Sequence, residues 1–209
     1  MRKLGLIGGL GPGSTVHYYQ ELVKAKAGEL LIVHADMDTV FSHVQQADRV
    51  GLAAYLAKLI ERLAKGGAEL AAISAITPHM CIRELEKIST LPLVDIIHEV
   101  NLEIAARGYR RVALFGTRFV VESRMFGMLN GVEVVVPNQV DEIHQAYMST
   151  VAGGKEGHAI LTRIARELPV DAIVLAGTDL ALIFDESNTD FPHVDCARTH
   201  IRAIVRHLH

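Results

Sequence analysis

Two short loops hold the residues best suited to moving protons. Ala75-Ile-Thr-Pro-His79 and Gly177-Thr178-Asp179 each set a hydroxyl close to an ionisable group, Thr77 with His79 and Thr178 with Asp179. A free histidine titrates at about 6.5 and a free aspartate at about 3.9. Burial raises the aspartate toward the range of a useful general acid. Hydroxyls beside such groups can hold a carboxylate or a developing enolate, so the pair suits acid–base chemistry at carbon. Both loops also have a plain structural reading: a lone His is commonly a core residue, and an Asp after Thr commonly caps a helix.

The glycine-rich stretch Gly8-Gly-Leu-Gly-Pro-Gly-Ser-Thr15 is a second candidate. Backbone amides of Gly8, Gly9 and Gly11 at the head of a helix would make a phosphate or carboxylate site. A dinucleotide reading draws on Asp36, at the end of the second strand, where a ribose-binding acid would stand. Against it, Gly9-Leu-Gly11-Pro-Gly13-Ser14 lacks the third glycine in register, and Pro12 removes an amide donor. A tight turn without a ligand is the alternative. His34, Asp36, Asp38, Ser42 and His43 are of metal-ligating or polar type. They equally describe a solvated lid, and neither a metal nor a cofactor is assigned. Cys81 and Cys196 are the only cysteines, too few for a disulfide framework or a metal knuckle.

These residues need strand ends to position them, and the chain supplies such ends twice. Lys3-Leu-Gly-Leu-Ile-Gly-Gly9 is echoed by Arg111-Val-Ala-Leu-Phe-Gly-Thr117. Leu30–Asp36 is echoed by Val132–Asn138, Leu70–Ala75 by Asp171–Ala176, and Pro92–Asp95 by Pro192–Asp195. Ordered echoes of this kind predict a duplicated α/β unit. The expected fold is therefore α/β: two similar lobes, each a mostly parallel four-stranded sheet flanked by helices, with the site in the interlobe cleft. The lobes are placed at 1–98 and 99–196, with a last helix over 197–209 packing back on the first. In the first lobe, helices are expected over 16–27, with Ser14 or Thr15 as cap, and over 47–65, with Leu52, Leu56, Leu59, Ile60 and Leu63 at helical spacing. A polar loop is expected over 36–46, Gly66-Gly67 as a helix stop, and Pro78 at the start of a helix.

Composition narrows the partners. The 209 residues are half hydrophobic and carry a formal charge of −3. No dense Lys/Arg stripe invites nucleic acid, and no apolar run is long enough for a membrane span. The N-terminus leads directly into a strand-like run with no signal-peptide pattern, which gives a cytoplasmic expectation.

The motifs taken together resemble the aspartate/glutamate/hydantoin racemase superfamily along nearly the whole chain. Ile7-Gly-Gly-Leu-Gly-Pro12 with Ser14-Thr15 and Tyr18-Tyr19 is similar to the family's G-G-[ML]-G-P…T…YY opening. Gly67-Ala-Glu69 and Ile73-Ser-Ala-Ile-Thr-Pro-His79 resemble G-A-D…C-N-T-x-H. Thr117 with Glu122-Ser123 matches T…E-S, Leu175-Ala-Gly-Thr-Asp-Leu180 resembles G-C-T-E-L, and Asp195 with His200 matches a closing D…H. The resemblance implies a cofactor-independent homodimer that binds a small carboxylate-bearing metabolite. It implies substrate contacts from Gly8, Gly9, Gly11, Asp38, Ala75, Thr77, Thr117, Gly177, Thr178 and His200, with His79 and Asp179 as the remaining catalytic pair.

The departures are as informative. Family racemases use two cysteines on opposite faces of the substrate's α-carbon, and those positions here read Ala75 and Gly177. Ile76 replaces the Asn of C-N-T, and Val120 stands where the second lobe usually offers Thr. The resemblance therefore implies enolate-type acid–base chemistry without the two-thiol mechanism. The alternatives are a lyase, isomerase or hydrolase using His and Asp, or a non-catalytic protein that binds a small anion.

Overall fold

Short apolar runs closed by glycine or a polar residue become buried parallel strands, and the amphipathic stretches between them become crossover helices. The computed structural model describes residues 1–209. It divides into two compact units, Met1–Asp95 with His200–His209, and Ile96–Thr199.

In the first unit, β1 (Leu4–Gly8), β2 (Leu30–His34), β3 (Leu70–Ile73) and β4 (Leu93–Val94) form one parallel sheet in the order β2-β1-β3-β4. β1 and β3 are central and buried throughout. Their register pairs Leu4 with Leu70 and Ile7 with Ile73, so Ser74 follows the end of β3 beside Gly8, the last residue of β1. The crossovers are α1 (Pro12–Lys24), α2 (Met37–Gln45) with α3 (Arg49–Lys65), and a 3₁₀ turn (Thr77–Cys81) running into α4 (Ile82–Ile88).

The second unit repeats the plan. β5 (Arg111–Phe115), β6 (Glu133–Val135), β7 (Ala172–Leu175) and β8 (His193–Asp195) form a parallel sheet in the order β6-β5-β7-β8. Its helices are α5 (Ile96–Ala106), α6 (Arg118–Glu122), α7 (Val140–Val151) and α8 (Gly157–Glu167). A last helix, α9 (Cys196–Leu208), begins in this unit and ends in the first. Each echo in the sequence falls on the strand at the same place in its sheet, β1 with β5 through β4 with β8.

The long helix follows its spacing: Leu52, Leu56, Leu59, Ile60 and Leu63 are all buried on one face of α3. A fully buried leucine contributes about 1.5–3 kcal/mol relative to exposure, so this face alone secures the helix to the sheet. Gly67, at φ +98, ends the helix as expected, in a conformation that side chains resist.

Two expectations need correction. The stretch 36–46 holds the helix α2 rather than a loop, because Asp36 caps it and Val40 and Val44 give it a buried stripe. α1 starts at Pro12, not 16, with Gly11 in the capping position, so Ser14 and Thr15 lie inside the helix. Proline's fixed φ suits a first helical turn, where its missing N–H costs nothing.

Candidate functional site

In an open parallel sheet a ligand binds beyond the carboxyl ends of the strands, where the strand order reverses. For the first unit that point lies between β1 and β3. It is bordered by the glycine loop and by Ser74–His79. Ser14 Oγ donates to the Ser74 carbonyl at 2.9 Å, and the Ser74 N–H donates to the Ile7 carbonyl at 3.0 Å. The Gly9 N–H donates to Thr15 Oγ1 at 2.9 Å. A Cβ on Gly8 would lie 2.4 Å from Thr15 Cγ2, and one on Gly9 would lie 2.6 Å from the His34 ring. The two hydroxyls expected to cap the helix instead clamp its entry loop and tie it to β3.

His79 is 1% exposed, at the turn that follows β3. Its Nδ1 lies 2.8 Å from the Ala75 carbonyl, which can only accept, so Nδ1 carries the proton. Burial pushes the His79 pKa down, with Asp95 opposing. The ring is therefore neutral, and Nε2 is left as a bare acceptor, buried and without a hydrogen-bond partner. Beside it, edge-on at 6.3 Å between centroids, sits His200. His200 Nε2 donates to the Val94 carbonyl at 2.9 Å and the Tyr18 hydroxyl lies 3.0 Å from Nδ1. Burial, and His79 nearby, drop His200 to about 3.

The residues Gly8, Gly9, Gly11, Ala75 and His79 thus surround the β1/β3 ends, all buried, and Thr77 is half-buried among them. His200 joins through its ring contact with His79. Asp38 sits exposed in the first turn of α2. The remaining polar cluster serves helix ends rather than one centre. Asp36 accepts from the Thr39 N–H at 2.9 Å, His43 Nδ1 lies 2.9 Å from Asp48, and Asp48 caps α3 through the Gly51 N–H. No three of its His, Cys, Asp or Glu side chains converge in a way that could hold a metal.

In the second unit the corresponding point lies between β5 and β7. A Cβ on Gly116 would stand 2.6 Å from the Ala176 carbonyl, so only glycine lets these strand ends approach so closely. Thr117 caps α6, accepting from the Val120 N–H at 3.3 Å. Gly177 leads into a 3₁₀ turn (Thr178–Leu182) whose first two residues are buried. Asp179 is 0% exposed and accepts from the Tyr147 hydroxyl at 3.3 Å. The Tyr147 ring lies against Gly177, where a Cβ would come within 2.2 Å of Cε2. Burial and Asp179 together hold the Tyr147 phenol well above its ordinary value.

Neither cysteine is exposed. Cys81 Sγ donates to the Pro78 carbonyl at 3.2 Å, and burial pushes its thiol up to about 12. Cys196 is fully buried, its thiol raised by burial and then by Asp195. Tyr147 escaped the sequence reading. It lies mid-helix, thirty positions from Gly177, and only the missing side chain at Gly177 hinted that something else fills that space.

A family model described as Asp/Glu/Hydantoin racemase matches residues 7–204. The broad specificity amino-acid racemase RacX of Bacillus subtilis (strain 168) is 24% identical over 213 residues, spanning 92% of this chain and 92% of its own. Among solved structures, an aspartate racemase homologue from Pyrococcus horikoshii OT3 superposes with a TM-score of 0.83 at 26% identity, covering 100% of this chain and 99% of that one. The aspartate racemase of Picrophilus torridus shares the fold, with a TM-score of 0.81 at 20% identity over 99% of this chain and 94% of that one.

Proposed function

This chain belongs to the Asp/Glu/hydantoin racemase family, and from that premise we propose that it is a racemase-like enzyme performing cofactor-independent acid–base chemistry on a small carboxylate or amino-acid-like metabolite. The observation that carries the reading is the neutral His79, whose unprotonated Nε2 stands without a partner at the end of β3. A buried nitrogen kept bare is costly as structure and useful as a base. Asp179 takes the complementary role at the end of β7. Beyond the β1/β3 ends, the Gly8–Gly11 loop and the Thr77 hydroxyl are the proposed seat of the carboxylate, and Thr117 and Thr178 stand at the corresponding place in the second unit.

The two-thiol route is not the one proposed. Ala75 and Gly177 have no side-chain proton to exchange. Cys81 and Cys196 are buried with raised thiol pKa values, so little thiolate forms near neutrality. The proposal includes a homodimer acting in the cytoplasm; sedimentation of the purified chain tests the assembly. No helix is long and apolar enough to cross a membrane.

The test is proton NMR in D₂O with a panel of amino acids, dicarboxylates, hydroxy acids and lactones. Loss of an α-proton signal without a new product supports racemase-like chemistry. A new product identifies a lyase, isomerase or hydrolase on the same residues. No change at high protein concentration rejects catalysis in favour of a small-anion-binding protein.

A further inference from the structure

Asp179 is 0% exposed, as buried as His79, and its Oδ2 accepts from the Tyr147 hydroxyl at 3.3 Å. Tyr147 is itself a buried residue, at 8% exposure, and the bond between the two is buried. The ring reaches this place because Gly177 has no side chain, since any Cβ there would overlap it. Three residues, one on α7 and two just past the end of β7, thus build one device: a buried carboxylate, a phenol bonded to it, and a gap that admits the phenol.

We propose that Tyr147 is a catalytic residue that meets the substrate and relays protons to and from Asp179. In the abstraction step the substrate's α-C–H bond breaks and its proton joins the Tyr147 oxygen. The phenolic proton passes in the same event to Asp179 Oδ2. The electron pair stays on the substrate, delocalised into the adjacent carboxylate or carbonyl as an enolate. The return step runs the same transfers backward, so Asp179 gives its proton to Tyr147 as Tyr147 gives its own to carbon. Tyr147 is a neutral phenol before and after, which avoids a phenolate beside a carboxylate in a buried site. At 3.3 Å the resting hydrogen bond is long for O–H···O, as catalytic contacts often are before substrate tightens them.

This rests on the acid–base reading of Asp179, and the test separates the two. D₂O exchange is measured for wild type, Tyr147→Phe, Asp179→Asn and the double variant, each on whichever compound of the panel the wild type exchanges. Tyr147→Phe keeps the ring against Gly177 and removes only the hydroxyl. The expected result is a fall in kcat of about 10²- to 10⁴-fold in each single variant, the range for loss of a positioned acid–base group. KM should stay near wild type, the thermal midpoint should fall modestly because a buried group loses its partner, and the double variant should be no slower than the slower single, as for residues acting as one unit. An active wild type with an equally active Tyr147→Phe overturns the relay and leaves the family reading standing. So does a loss expressed in KM alone, which assigns Tyr147 to binding. A wild type that exchanges nothing removes the reading and the relay together.

Discussion

Tyr18 and His200 fix each other's protons. A carbonyl cannot donate, so His200 Nε2 must carry the hydrogen it shares with Val94 at 2.9 Å. The neutral ring then offers Nδ1 only as an acceptor, and the Tyr18 hydroxyl 3.0 Å away is its donor. One tautomer is selected by geometry, and protonation would break the Tyr18 bond. The consequence is a pH-dependent stability. His200 falls from an ordinary 6.5 to about 3 in the folded chain, so between those values the unfolded chain binds more protons. Stability from this group is complete above its unfolded value and drains away as pH falls toward the folded one. The slope approaches about 1.4 kcal/mol per pH unit for one proton. Urea unfolding between neutrality and acid pH should show a shallower slope in His200→Gln than in wild type. Equal slopes would mean that His200 titrates alike in both states.

The cysteines should be silent. With Cys81 at about 12 and Cys196 raised by burial, neither supplies thiolate near neutral pH. Iodoacetamide should label neither in the native protein and both after denaturation, read by intact mass. Cys81→Ala and Cys196→Ala should retain whatever turnover the wild type shows. Fast native labelling at either site would return thiol chemistry to consideration.

The architecture was legible because it was written twice. Four ordered echoes pointed to eight strands, and a glycine at or just after the end marked β1, β5 and β7. Residues close to a strand end along the chain were legible too: His79 and Asp179 follow β3 and β7 within a few positions. Contacts between distant segments were not. That Ser14 and Thr15 would clamp a loop rather than cap a helix depends on Pro12 starting α1 early, and their partners Ser74 and Gly9 become neighbours only through the sheet. α2 was hidden because its stripe is only Val40 and Val44, and because Asp36 and Asp38 read as loop polarity. Burial was hidden as well, since a sequence gives no sign that Asp179 and Tyr147 are buried together.

Thr15 should matter more to binding than to chemistry. Its Oγ1 accepts from the Gly9 N–H at 2.9 Å and donates to the Gly11 carbonyl at 3.2 Å, bracketing the loop proposed to seat a carboxylate. Thr15→Val keeps the shape and removes both bonds. Stranding a partly buried donor costs about 1–3 kcal/mol of stability, measurable by urea unfolding. On a compound the wild type turns over, KM should rise while kcat changes little. The reverse pattern would place the loop in the reaction itself.

Gly177 and Tyr147 should behave as a matched pair in stability, whatever the chain catalyses. A methyl group at 177 would stand 2.2 Å from Tyr147 Cε2, a separation atoms do not tolerate, so the ring or the strand end must shift. Overpacking of this kind costs about 1–3 kcal/mol, so Gly177→Ala should lower the denaturation midpoint. The backbone at Gly177 is extended, with φ −142, a conformation alanine adopts freely, so the penalty is steric and not conformational. Tyr147→Ala removes the ring and creates a cavity, costing about 3–5 kcal/mol by analogy with other large aromatic truncations. In that background the methyl enters empty space. Gly177→Ala should then be neutral or slightly stabilising, giving a coupling of about 0.5–3 kcal/mol in a double-mutant cycle. Simple additivity would show that the ring does not lie on Gly177, and that the space beside the strand end is open to some other side chain.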